Sequence, residues 1–180
     1  MKVLAVSGSL RADSYNTHLL EEAAAAAPSG VELELFDSAV IAALPLYDQD
    51  LEGDVPVSVQ RLRDAWAEAD AILFATPEYN GSVPGGLKNA VDWASRPRPA
   101  AALMNQTVTV IGASTGQFGA LWAQNDLRRI LGIAGARVVG EGLPVARAAE
   151  DFPEQLHEQL HEVLQLLVEA AQPAEDGVAA

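Results

Sequence analysis

The sequence predicts an α/β protein with a five-stranded parallel sheet covered by helices on both faces. Three observations lead there. The apolar runs KVLAVS (2–7), AILFA (71–75) and TVTVIGA (107–113) are continuous rather than alternating, as in strands buried on both sides. Segments with helical periodicity separate them, each long enough to carry the chain back for another parallel strand. The loops of unusual composition all follow strands, none a helix.

The elements follow in order. KVLAVS is bounded by Gly8 and reads as the first buried strand. Residues 14–27 read as a helix, with Asp13 or Ser14 as N-cap and Pro28-Ser29-Gly30 as its stop. VELELF (31–36) alternates with period two, which marks a half-exposed edge strand. The stretch 37–55 shows no period and is expected to be irregular. Residues 56–69 carry Val59, Leu62 and Trp66 on one helical face. AILFA is the next buried strand, and 86–95 the helix after it. TVTVIGA is followed by a helix over 120–132, a short strand ARVVG (136–140) and a last helix over 153–171.

Five such strands, with the polar edge strand second in sequence, predict the flavodoxin-like order 2-1-3-4-5 in a three-layer α/β/α sandwich. At 180 residues and 49% hydrophobic, the chain is long enough for one real core. We expect a single domain over 1–172 and an acidic tail over 173–180. In this topology ligands sit beyond the carboxyl ends of the strands, beside the first strand where the order reverses. The loops SGSLRADSYN (7–16), TPEYNGSVPGG (76–86) and GASTGQFG (112–119) all fall at that end.

Composition narrows the function. A net charge of −14 repels a phosphate backbone, so no nucleic-acid partner is expected. No Lys or Arg follows Arg147, whereas carboxylates recur from Glu150 to Asp176, as on a solvated helix face. The chain has no cysteine, which removes thiol catalysis, thiolate zinc and iron–sulfur ligation and fits a reducing cytoplasm. No run is long enough for a membrane span, and none is expected.

The first loop has the makings of a phosphate cradle. Ser9, Ser14 and Asn16 offer side-chain donors, Arg11 a charged fork, and the following helix its free N-terminal amides. An ordinary helix start would use the same Ser and Asn as caps and leave Arg11 as a surface charge. It is not a Walker loop, and only Gly8 is present of the three glycines of the dinucleotide fingerprint. The second loop combines two prolines, which fix φ, with three glycines, which let backbone groups approach a flat heteroaromatic ring. Its glycines and prolines serve equally to route a long turn. The third loop would close the opposite side of such a ring.

Together GSLRADSYN (8–16), LPLYDQDLE (44–52), TPEYNGSVPGGLKNAVDWASR (76–96) and GASTGQFG resemble the NADPH-dependent FMN reductases, which include quinone and chromate reductases. The resemblance extends over residues 1–145. It implies a homodimer or dimer of dimers with FMN near the subunit interface, and NADPH as co-substrate. It implies an FMN phosphate held by Ser9, Arg11, Ser14, Tyr15 and Asn16. It further implies a ring and ribityl chain lined by Pro77, Glu78, Tyr79, Asn80, Gly81 and Ser82, with Ser114 and Gly116 opposite. One departure stands out: where many relatives carry paired glycines and an Arg after the third loop, this chain has Phe118-Gly119-Ala120-Leu121.

A competing motif, HEQLH (157–161), matches the zinc-protease pattern H-E-x-x-H. Leu156, Leu160, Val163 and Leu167 form a core stripe beside it, and Glu169 and Glu175 are poorly spaced as a third ligand. Arg96 and Arg98 follow a helix end, where the dipole favours cations and where they could also meet NADPH phosphates. Trp93 and Trp122 read as core or subunit packing, or as an aromatic beside a flavin, and His18 receives no role. Without an evident acid–base pair, no side chain is expected to be catalytic; the cofactor carries the redox chemistry, delivering electrons to a quinone, free flavin or other small acceptor. An FMN electron carrier and a flavin-binding regulatory protein without turnover are the alternatives.

Overall fold

The computed structural model describes residues 1–150 and 152–172. The segment 173–180, read as an acidic tail, lies outside the described residues. The first strand, β1 (Lys2–Ser7), leads through the first loop to α1 (Tyr15–Ala25). The cap is Ser14, whose Oγ accepts from the backbone N–H groups of Asn16 at 3.2 Å and Thr17 at 3.4 Å. Strand β2 (Glu32–Leu35) follows, then β3 (Ala71–Ala75) and β4 (Thr107–Ala113). All pair in parallel, in the order β2-β1-β3-β4 with β5 (Arg137–Val138) outermost. The predicted order is the observed one.

The continuous apolar strands conceal a period of two. Leu4, Val6, Ile72, Phe74, Val108 and Val110 face one layer, while Val3, Ala5, Leu73, Ala75, Ile111 and Ala113 face the other. The first layer holds α3 (Val57–Glu68), α4 (Gly85–Ala94) and α5 (Leu121–Ala134). Trp66 sits at its centre, edge-on to Phe74 at 5.2 Å between ring centroids. The second layer holds α1 and α6 (Leu156–Ala171), whose Leu156, Leu160, Leu164 and Leu167 are all buried. No helix among the described residues is long and apolar enough to cross a membrane.

Two expectations need correction. The stretch 37–55 is not wholly irregular: it contains α2 (Ser38–Ala42), capped by Asp37, and a 3-10 helix (Gln49–Gly53), capped by Asp48. Each is too short to leave a periodic pattern, and each starts on an aspartate that reads equally well as a turn residue. The fifth strand position is also not one run. β5 ends at Val138, and the chain returns to β4 as β6 (Leu143–Val145), beside Ile111–Ala113. Gly140 (φ +72°) and Gly142 (φ +89°) make the detour, and a Cβ on Gly142 would sit 2.8 Å from Gln124 Oε1. This split carries the third loop, because β6 is what that loop rests on.

Candidate functional site

A cavity of about 280 Å³ opens at the carboxyl ends of β1, β3 and β4. Its lining joins Ser9, Arg11, Ser14, Tyr15 and Asn16 of the first loop with Pro77, Glu78 and Tyr79 of the second and Ser114 of the third. Nine of the thirteen residues singled out from the sequence therefore meet in one place. Ala113 and Thr115, which the sequence did not single out, complete the wall.

Several of these side chains are tied to the scaffold. Asn16 is 3% exposed, and its amide brackets the end of β4: Nδ2 donates to Ala113 O at 3.0 Å, and Oδ1 accepts from Ala113 N at 2.9 Å. That pair fastens the first loop to the third, with one amide hydrogen left over. Ser14 Oγ is the α1 cap, so its lone pairs face the helix while its proton stays free. Ser9 stands just beyond Ser7, whose Oγ accepts from Ser9 N at 3.3 Å. Gly8 lets the loop enter there, because a Cβ would lie 2.7 Å from Leu87 Cδ2.

Arg11 is exposed, and no carboxylate pairs with it among the described residues. Its guanidinium carbon lies 5.0 Å from the centroid of the Tyr15 ring, a cation–π shelf that holds the fork at the cavity. The start of α1, with N–H groups and positive dipole end, opens beside it. One unpaired cation, two serines and a helix N-terminus make a donor set suited to a phosphate dianion.

The second loop answers to its own geometry. Tyr79 and Ser82 exchange backbone hydrogen bonds at 3.1 and 3.2 Å around Asn80 (φ +54°) and Gly81 (φ +74°). Two consecutive positive φ values make this a type I′ turn, the conformation that Asn-Gly favours. Nothing lies within 4 Å of a Cβ built on Gly81, and its positive φ is what the turn requires of it. Asn80, Gly81 and Ser82 accordingly do not line the cavity, and Ser82 Oγ donates instead to Asp126 Oδ2 at 2.8 Å. Gly116 is likewise off the lining: its N–H goes to Ser114 Oγ at 3.1 Å and its carbonyl accepts from Arg147 N at 3.0 Å.

Glu78 does more than line the wall. Its Oε2 accepts from Trp122 N at 3.0 Å and from Ala123 N at 3.2 Å, supplying the N-terminal cap of α5 from another loop. It is the only carboxylate on the cavity lining among the described residues, and its oxygen is engaged. Gln124, 1% exposed and unremarked in the sequence, braces the third loop, donating to Gly119 O at 2.8 Å and accepting from Leu143 N at 3.2 Å. A buried amide on an otherwise apolar helix face was the only available signal.

The remaining candidates separate from this site. His161 Nδ1 lies 2.9 Å from Ala26 O at the end of α1, His157 is exposed, and no three metal-ligating groups gather among the described residues. Arg96 donates to Ser95 O at 3.0 Å and Arg98 to Ile133 O at 2.8 Å, both at helix C-termini. Trp93 is fully buried and donates to Pro45 O at 2.8 Å, which anchors the LPLYDQDLE segment. Trp122 is not core: half of it is exposed. His18 lies 3.5 Å from Asp13 on the surface.

Comparison with known proteins bears on this geometry. The family model described as NADPH-dependent FMN reductase matches residues 1–151. An NAD(P)H-dependent FMN reductase of Pseudomonas aeruginosa is 48% identical over 132 residues, which cover 73% of this chain and 69% of that protein. A 2-hydroxy-1,4-benzoquinone reductase of a Burkholderia species is 42% identical over 130 residues, covering 72% and 69% respectively. Among solved structures, the flavoenzyme NAD(P)H:(acceptor) oxidoreductase FerB of Paracoccus denitrificans superposes with a TM-score of 0.81. It is 34% identical, with 94% of this chain and 96% of that one covered.

Proposed function

The chain belongs to the NADPH-dependent FMN reductase family, and from that premise we propose that it uses NADPH to reduce quinones or related small acceptors in the cytoplasm. It is an FMN-dependent oxidoreductase of flavodoxin-like fold. FMN, when bound, would supply the two-electron redox chemistry that no side chain of this site offers. The protein supplies position and surroundings.

One observation carries the assignment of the site: the single cavity where the unpaired Arg11 and the start of α1 face the Pro77-Glu78-Tyr79 wall. Arg11, Ser9, Ser14 and Tyr15 hold the phosphate, Arg11 by charge and the serines by their hydroxyl protons. Asn16 acts mainly through Ala113, keeping first and third loops in register. Pro77, Glu78 and Tyr79 form the ring wall, with Ser114 opposite. Asn80, Gly81 and Ser82 contribute by shaping the turn that presents Tyr79. Glu78, the only acid on the lining among the described residues, gives one oxygen to α5, and the chain acts by binding and orientation.

Association into a homodimer or dimer of dimers, with one domain over residues 1–172, completes the reading. It is supported by the groove between α4 and α5, where Ile133 is 66% exposed beside Arg129 and Asp92. Anaerobic mixing tests the function. NADPH alone should bleach the FMN absorbance, and a quinone should restore it. A flavin that dithionite reduces but NADPH does not would make the protein an electron carrier instead.

A further inference from the structure

Of the three exposed aromatic side chains among the described residues, Tyr79 lines the cavity, and Phe118 and Trp122 stand outside its lining, next to Glu78, which does line it. Tyr79 is 55% exposed on the second loop, and Phe118 and Trp122 are 48% and 50% exposed at the end of the third. The other aromatic rings are buried or half-buried. The pair is preformed: the Phe118 and Trp122 centroids lie 4.8 Å apart with planes inclined at 58°. The Trp122 main chain is pinned by Glu78, which itself lines the cavity. Gly119, between the two aromatics, could not carry a side chain, since a Cβ would lie 2.6 Å from the backbone of Pro144 and Val145.

Exposed aromatic surface held beside the candidate cavity is costly to leave in water and favourable to cover with a flat apolar ring. Charge points the same way. The shelf carries no cation, and the chain as a whole stands at −14, so an anionic acceptor is disfavoured there.

We propose that Phe118 and Trp122 form the acceptor subsite, a stacking shelf that selects neutral, planar aromatic acceptors over anionic ones. The proposal rests on the reductase reading and adds to it the side chains that set acceptor choice.

The test uses the full FMN-loaded chain, with 1,4-naphthoquinone as the flat neutral acceptor and ferricyanide as the compact anionic one. Phe118→Ala, Trp122→Ala and Trp122→Phe are compared with the parent. Loss of one stacked aromatic should raise the KM for naphthoquinone about 2- to 13-fold, the factor equivalent to about 0.5–1.5 kcal/mol. The ratio of kcat/KM for naphthoquinone to that for ferricyanide should fall accordingly, and Trp122→Phe should recover much of the loss. A second readout needs no turnover. Oxidised naphthoquinone should quench tryptophan emission in the parent but far less in Trp122→Phe, because Trp66 and Trp93 are both fully buried.

Three results would overturn the proposal: an unchanged acceptor ratio, an altered KM for NADPH in place of the quinone, or a smaller particle by sedimentation with the quinone KM unmoved. The last would assign the pair to contact with a second copy. Failure of the reductase reading would show separately, as a parent protein that leaves NADPH unoxidised with either acceptor, and the quenching titration would still decide the role of the pair.

Discussion

Glu78 and Trp122 are joined across 44 positions of sequence, the carboxylate of one accepting from the backbone N–H of the other at 3.0 Å. The helix α5 that begins there lacks a cap of its own. Its capping position is Ala120, which has no side-chain oxygen and sits in the left-handed region at φ +60°. The second loop therefore caps the helix that begins after the third. Ser82 adds a second clasp to the same helix through Asp126. Two walls of the site are held as one body, and Glu78 is its fastening.

Glu78→Ala should leave the first N–H groups of α5 without their acceptor. Losing such a cap costs about 0.5–2 kcal/mol, which for a chain of this length lowers Tm by about 2–4 °C per kcal/mol. Glu78→Gln keeps an acceptor oxygen and should recover part of the loss, with the helix-dipole contribution of the charge missing. Calorimetry of the FMN-free protein checks this without interference from ligand. An alanine variant melting with the parent would show that water caps α5 equally well.

The sheet was legible because burial on both faces leaves a crude mark, a continuous apolar run, and because the polar edge strand VELELF betrays its own position. The meeting of Arg11 with Glu78 and Ser114 followed from strand order alone, since parallel strands place all three loops at one end. The roles of individual side chains were less legible. A Ser, Asn or Glu in a binding loop has the same spelling whether it faces a ligand or a backbone amide 97 residues away, as Asn16 does at Ala113. The type I′ turn at Asn80-Gly81 could have been read locally, from the dipeptide. The split of the fifth strand could not, because it depends on Gly142 passing close to Gln124 and the carbonyl of Val110.

Two glycines of the site loops should respond very differently to alanine. Gly81 has a positive φ of +74° in open space, so Gly81→Ala should cost only the left-handed backbone, about 1–2 kcal/mol. Gly119 combines φ +56° with backbone atoms of Pro144 and Val145 within 2.6 Å of its Cβ position. Gly119→Ala must displace β6 or the third loop, and its urea midpoint should fall well below that of Gly81→Ala. Equal midpoints would show that β6 yields freely and does not brace the third loop.

The H-E-x-x-H match should prove structural. His161 meets the Ala26 carbonyl that ends α1, and Leu156, Leu160, Leu164 and Leu167 beside it are buried. His161→Ala should cost about 0.5–1.5 kcal/mol, the net worth of one hydrogen bond, and His157→Ala almost nothing, since that side chain is exposed. The double variant should keep its FMN content and NADPH oxidation. Stoichiometric zinc in the parent by metal analysis, absent from the double variant, would reverse this reading.

Arg11 gives the sharpest test of the phosphate site. The protein carries −14 charges, so a phosphate dianion approaches against the general field and depends on local donors. Among the residues lining the cavity Arg11 is the only cation, and the Tyr15 ring beneath its guanidinium holds it there. A hydrogen bond to a charged group contributes about 1.5–3 kcal/mol, on the order of 10- to 150-fold in affinity at about 1.4 kcal/mol per decade. Arg11→Ala should weaken FMN by that factor while riboflavin, which lacks the phosphate, binds as before. Arg11→Lys should recover only part, because an ammonium cannot reproduce the planar fork. Tyr15→Leu should produce a smaller loss of the same kind, since it removes the shelf and leaves the charge. The fold should survive both Arg11 variants, because Arg11 is exposed and buries nothing in either core layer; Tyr15 packs against the second layer, and leucine keeps apolar contact there. Fluorescence titration of the FMN-free protein with both flavins measures each constant. Arg11→Ala binding FMN as tightly as the parent would place the phosphate elsewhere and leave the first loop as an ordinary helix start.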